Sequence, residues 1–172
     1  MSNMVISLFE FKLNNRIEVL KRAIKSFTSE YSCDYHNKIT CSPVDYKKIQ
    51  SFDDYPTDYK LFLTTIGTIN ISTNGYHALE ILAPQYEEQY PDIYGECEMW
   101  WGYSVGRFPQ HVRVGILPCN YEAIGFDIRS SPFGLVSFNT AKYNDFLSFV
   151  EAEFATNEAL APHFKSAISF YC

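Results

Sequence analysis

The chain reads as an α+β fold in a single domain, with helices packed on an antiparallel sheet, and three observations predict it. The apolar period is 3.6 residues in the first third, changes to 2 through the middle and returns to 3.6 near the end. Turn signals separate the period-2 runs at hairpin spacing. With 172 residues, 47% of them apolar and 17% aromatic, the chain can bury one ordinary core, and no Pro-rich, Gly/Ser-rich or repetitive stretch marks a linker or second domain. Helices, then a meander, then a helix is the order of an α+β domain rather than of alternating βαβ units.

The first helix is expected over Asn15 to Phe27, where Leu13, Ile17, Leu20, Ile24 and Phe27 form one apolar stripe. Asn15 and Glu18 have the spacing of an N-cap and its reciprocal partner. Thr28 to Thr40 lacks a period and reads as loop. Ser42-Pro43-Val44-Asp45 offers a cap, a proline at the first helical position and an acid in the first turn, predicting a short helix to Phe52. Pro56 opens the next helix, in which Tyr59, Phe62, Leu63 and Ile66 share a face and Gly67 suits a left-handed C-cap.

Thr68 to Ser72 and His77 to Leu82 alternate on either side of Asn74-Gly75, a strong hairpin signal. Val112 to Pro118, Ala123 to Arg129 and Leu135 to Asn139 read as further strands, with turns at Asn120 to Glu122 and Ser130 to Gly134. A last amphipathic helix carries Tyr143, Phe146, Leu147, Val150 and Phe154, and the tail from Ala159 has room for another turn.

The charge is concentrated. The chain holds 14 basic and 20 acidic residues, a formal net of −6. Leu61 to Gly106 contains no Lys or Arg but six acids: Glu80, Glu87, Glu88, Asp92, Glu96 and Glu98. Without those six the balance is 14 against 14, so the net charge belongs to this segment. Tyr76, Tyr86, Tyr90, Tyr94, Trp100, Trp101 and Tyr103 lie in the same stretch. Acid confined to an aromatic-rich segment describes a surface suited to a basic partner, since Tyr and Trp bury large areas with few rotors. Its plain alternative is a solvated loop whose aromatics fold back into the core. A pI near 5.2 makes nucleic acid a poor partner for the chain itself.

Other chemistry is thinly represented. No run approaches the ~20 apolar residues of a membrane helix. The apolar patch at Met4 to Phe9 has no basic residues ahead of it and no small-residue cleavage site, so a signal peptide is not expected. Cys33, Cys41, Cys97, Cys119 and Cys172 are odd in number and widely spaced, and they read as reduced cytoplasmic thiols. Cys33-x-x-His36-x4-Cys41 offers three metal ligands where a structural zinc site wants four, so no metal or cofactor is expected. The chain has no G-x-S-x-G elbow and no glycine-rich phosphate loop. His36, His77, His111 and His163 read as satisfied or solvated imidazoles rather than catalytic bases. Glu96 and Glu98 lie two apart beside Trp100 and Trp101, a pairing that glycoside hydrolysis would use, though so common a spacing discriminates poorly. Adjacent strand residues face opposite ways, so Trp100 and Trp101 cannot both be core in a strand.

A set of short motifs resembles one family. Tyr55-Pro-Thr-Asp-Tyr-Lys-Leu-Phe-Leu63 is similar to the "LP-x-DY-K-x-FL" helix of the SUKH superfamily, which includes the SMI-KNR cell-wall regulator domains. Leu79-Glu-Ile-Leu-Ala-Pro84 resembles its strand leading to a proline. Gly115-Ile-Leu-Pro118, Gly125-Phe-Asp127 and Val136 resemble its later strands, and Tyr143 to Phe149 its closing helix. The match runs from Ser42 to Phe154 and leaves residues 1–41 as an N-terminal helical extension. The resemblance implies helices on a curved antiparallel sheet and no catalytic residues. It also implies a protein-binding role, since many bacterial members look like immunity proteins that neutralise a toxin domain and others act as adaptors. The expected partner is a cognate toxin domain, often one acting on nucleic acid. It would meet Glu80, Tyr86, Glu87, Glu88, Tyr90, Asp92, Tyr94, Glu96, Glu98, Trp100 and Trp101 of a cytoplasmic monomer or weak homodimer. An adaptor domain and a glycan-processing enzyme using Glu96 and Glu98 are the alternatives.

Overall fold

A computed structural model describes residues 7–85, 111–117, 122–137 and 143–171. Its described elements are helices α1 (Leu8–Glu30), α2 (Thr57–Thr65), α3 (Phe146–Thr156) and α4 (Ala161–Ser169), with strands β1 (Lys38–Ser42), β2 (Thr68–Thr73), β3 (Tyr76–Gln85), β4 (His111–Leu117), β5 (Glu122–Asp127) and β6 (Gly134–Ser137). The six strands form one open antiparallel meander in sequence order. This is the α+β arrangement that the change of period predicts.

Helix α1 begins earlier than its apolar stripe. Ser7, not Asn15, is the N-cap: its hydroxyl accepts from the Glu10 amide at 3.2 Å, and its own amide donates to the Glu10 carboxylate at 2.9 Å. The local capping box outcompetes the Asn15–Glu18 pair because it sits where the chain enters the helix. The stripe itself is as expected, with Leu13, Ile17, Leu20 and Phe27 buried.

Two further expectations change. The stretch Thr28 to Thr40 is not all loop: α1 continues to Glu30, and β1 starts at Lys38. Strand β1 pairs Lys38 with Ser72 through to Ser42 with Thr68, so its burial pattern has one buried residue in five. Such an edge strand shows no alternation to read. In place of a short helix, Asp45 to Phe52 holds a 3₁₀ turn at Tyr46–Lys48, and a second follows at Phe52–Asp54. Ser42, the expected cap, is the last residue of β1, and Asp45 makes no side-chain cap to the 3₁₀ turn, so the stabilisation the pattern implied is missing.

Gly67 closes α2 with φ +91°, and a Cβ on it would lie 2.1 Å from the Ser42 carbonyl oxygen. Only glycine fits this junction between α2, β1 and β2. The Asn74-Gly75 turn has both residues left-handed, φ 53° and 82°, as a two-residue hairpin joining Thr73 to Tyr76 requires.

The helices supply one side of a single core. Tyr55, Tyr59, Phe62, Phe126, Phe146 and Phe149 are all buried in it. Their rings meet edge to face, as at 4.8 Å between Tyr59 and Phe146 and 5.5 Å between Tyr55 and Phe126. Gly115 of β4 lies under the helices, where an added Cβ would meet Phe149 at 3.2 Å. Residues 7–41 are part of this core, through the α1 stripe and Ile39 of β1.

Candidate functional site

Of the eleven residues expected to meet a partner, Glu80 alone falls among the described residues. Tyr86, Glu87, Glu88, Tyr90, Asp92, Tyr94, Glu96, Glu98, Trp100 and Trp101 lie outside them, as does the Glu96–Glu98 pair of the enzyme alternative. Glu80 sits on β3 opposite Asn70 of β2. Its neighbours Leu79 and Ile81 point into the core, so the two-residue strand period turns Glu80 to the sheet's other face. There the Asn70 amide donates to its carboxylate at 2.9 Å, a cross-strand bond that holds the charge half-buried and oriented. Arg113 of β4 is also buried, at 7% exposure, so the sheet carries charge of both signs at low exposure.

The residues of the Tyr55–Leu63 motif have structural tasks. The Tyr59 hydroxyl donates to the Leu82 carbonyl at 2.8 Å, tying α2 to β3. The Asp58 carboxylate accepts from the Leu147 amide at 3.0 Å and so satisfies an orphan donor at the start of α3. Burial pushes the Asp58 carboxyl above its ordinary range, against the pull of the Leu147, Tyr59 and Phe146 amides and with help from the nearby Asp145 charge. Through Asp58 and Tyr59 the motif ties α2 to α3 and β3.

A second carboxylate, Asp145, caps α3 directly. It accepts from the Ser148 amide at 2.7 Å and from Arg16 of α1 through both oxygens, at 2.8 and 3.0 Å. Arg16 also bridges to Glu151 at 2.8 Å through Nε and Nη2. Partial burial pushes the Asp145 carboxyl up, but the Arg16 and Ser148 hydrogen bonds outweigh it and hold it at about 2. Glu151 and Asp145 in turn raise the Arg16 guanidinium above its ordinary value. Every donor of the guanidinium that faces these acids is used, which makes the cluster a clamp between α1 and α3.

His163, expected as a satisfied or solvated imidazole of the tail, is a satisfied one. It lies on α4 at 7% exposure, with Nδ1 2.8 Å from the Ser26 hydroxyl and Nε2 3.6 Å from the Glu30 carboxylate. Serine, imidazole and carboxylate thus stand in the order of a hydrolytic triad. Ser26 is inside α1, however, where the neighbouring amides are spent on helix bonds and are not free to hold an oxyanion. The trio reads as a clasp between α1 and α4, reinforced by the edge of Phe27 at 5.4 Å. Only the helix spacing of Ser26 and Glu30 was visible in sequence; their partner is 137 residues from Ser26.

Cys33 and Cys41 are both free and exposed. Burial of the Cys41 sulfur by its surroundings nonetheless pushes its thiol up, away from the reactive thiolate. Among the described residues no group of three or more His, Cys, Asp or Glu converges as a metal site. None of the described helices is long and apolar enough to cross a membrane. Compared with models of known protein families, with curated proteins and with solved structures, the chain matches none.

Proposed function

We propose that the protein is an immunity protein of the SUKH type, which binds and neutralises a cognate toxin domain through the acidic aromatic surface of residues 80–101. The observation that carries this reading is the base-free stretch from Leu61 to Gly106, which holds all of the chain's surplus acid together with seven Tyr and Trp residues. A toxin acting on nucleic acid presents a basic groove built for phosphate. Carboxylates mimic that charge, and opposite charge speeds capture, with association rates reaching about 10⁸ M⁻¹s⁻¹ at low salt. Glu80, anchored by Asn70 on a strand, would form a fixed end of such a surface. The antiparallel sheet with packed helices is also the fold that the resemblance implies. Localisation in the cytoplasm, where an internalised toxin would be met, belongs to the same proposal.

Binding of a candidate cognate toxin domain, measured by stopped flow, tests the assignment. Reversal of Glu87, Glu88 and Asp92 to Lys should slow association at least tenfold and flatten its salt dependence. Trp100→Ala or Trp101→Ala, whichever removes an anchor, should cost about 2 kcal/mol or more in affinity. A folded charge-reversal variant with unchanged association across salt concentrations would move the interface to another face.

A further inference from the structure

We infer that the cleft between α1 and the open edge of β1 is a strand-addition site that takes an extended acidic segment of a partner protein. It is separate from the acidic surface proposed above and does not depend on it.

The first observation is the edge itself. Among the described residues, strand β1 ends the sheet and pairs only with β2. The Ser42 carbonyl faces β2, where it accepts from the Thr68 hydroxyl at 3.3 Å and lies against Gly67. Main-chain groups alternate along an antiparallel strand, so Lys38 and Thr40 also turn theirs inward. Ile39 and Cys41 therefore present their N–H and C=O groups outward, and no described residue takes them. Pro43 follows β1 and carries no amide proton, which sets the end of the available edge.

The second observation is the space beside that edge. A cavity of about 540 Å³ separates Lys21, Ile24 and Lys25 of α1 from Cys41 and Ile66. Another, of about 420 Å³, separates Thr28 and Tyr31 from Lys38 and Ile39. Helix residues 21 to 31 run past strand residues 41 to 38 in order, so the two spaces follow one line along β1. A polypeptide laid against β1 would have its side chains on the helix side received there.

Charge selects the occupant. Glu18, in the first cavity, is taken by Lys21 at 2.7 Å, and the Arg22 guanidinium lies over the Phe170 ring at 3.9 Å. Asp34, in the second, accepts from the His36 and Asn37 amides at 2.7 and 3.3 Å. Lys25 and Lys38 are left without a partner among the described residues. Two unpaired cations beside alternating outward amides and carbonyls match an acidic backbone in extended form. Lysines alone would accept any phosphate, but the hydrogen-bonding edge asks for a peptide.

The test uses the full chain under reducing conditions and a fluorescein-labelled heptapeptide of alternating glutamate and valine, with a lysine–valine peptide as control. Anisotropy should show saturable micromolar binding of the acidic peptide, weakening several-fold with added salt, and none of the control. Amide exchange should slow at Ile39 and Cys41 and stay unchanged at Thr40. The double variant Lys25→Glu, Lys38→Glu should weaken binding about tenfold, since two rim pairings are lost and each reversal adds repulsion. C41P removes one outward amide at an edge position and should abolish binding in a variant that keeps the native circular dichroism. Absent binding, binding indifferent to both lysines, or protection elsewhere would overturn the proposal. So would Ile39 and Cys41 amides already protected in the free protein, or protected only as its own concentration rises, because then the occupant is the chain itself or a second copy.

Discussion

Asp58 shows how a residue can carry a family resemblance and still be structural. It is 7% exposed, and its one carboxylate serves the amide of Leu147, 89 residues away. Replacement by Ala would leave that buried donor unsatisfied, at a cost of about 1–3 kcal/mol. Asp58→Asn keeps an acceptor of the same shape and removes a charge that burial disfavours, so it should cost less than half as much. Thermal melts of the two variants at neutral pH check the difference. Equal destabilisation would show that the charge, rather than the acceptor, matters at this position. In sequence, Asp58 was readable as an acid in the first turn of α2; its role at α3 was not, because nothing local records a contact between two helix starts.

At the scale of elements, the Arg16 clamp should set the acid limit of the fold. The Asp145 carboxyl is held at about 2 against an ordinary 3.8. A carboxyl with a depressed folded value adds stability above its ordinary value and loses it as pH falls through the folded one. The clamp's contribution is therefore complete above about pH 4 and disappears towards pH 2. Asp58 has the opposite sign: raised when folded, it contributes fully below its ordinary value of 3.8, and the contribution is lost as pH rises through the raised folded one. Arg16→Met should cost about 1 kcal/mol at pH 7, allowing for solvent screening of acids that are 26–38% exposed. The variant should also lose the part of the drop in stability between pH 4 and 2 that Arg16 gives Asp145, while the Ser148 hydrogen bonds keep the rest. Urea titrations across pH measure this, and an unchanged acid profile in Arg16→Met would assign the drop to other groups. Helix α1 was legible as a stripe, yet its start was misplaced because Asn15–Glu18 and Ser7–Glu10 satisfy the same capping pattern. Strand β1 was not legible at all, because one buried residue in five gives no period.

For the whole molecule, one core joins all four described helices to the sheet. No ion or covalent bridge is needed to explain its closure, since the aromatic rings of α2, α3 and β5 pack directly against one another. Unfolding should be a single cooperative transition, and its midpoint should shift by less than a degree or two with a chelator or with reductant. A large shift with either would show that the reading of the five cysteines as reduced, unbridged thiols is wrong.

The sequence by itself determined the fold class, the hairpin at Asn74-Gly75, the glycine at the end of α2 and the location of the surplus acid. Each of these is written in residues that are neighbours along the chain: a period, a dipeptide with positive φ, a run of carboxylates. Tertiary structure alone decided that Asp58 caps a distant helix, that Arg16 clasps α3, that His163 is buried between Ser26 and Glu30, and that β1 ends the sheet beside a basic cleft. Those features depend on which surfaces meet, and hydrophobic burial brings together residues whose spacing in the chain carries no trace of the encounter.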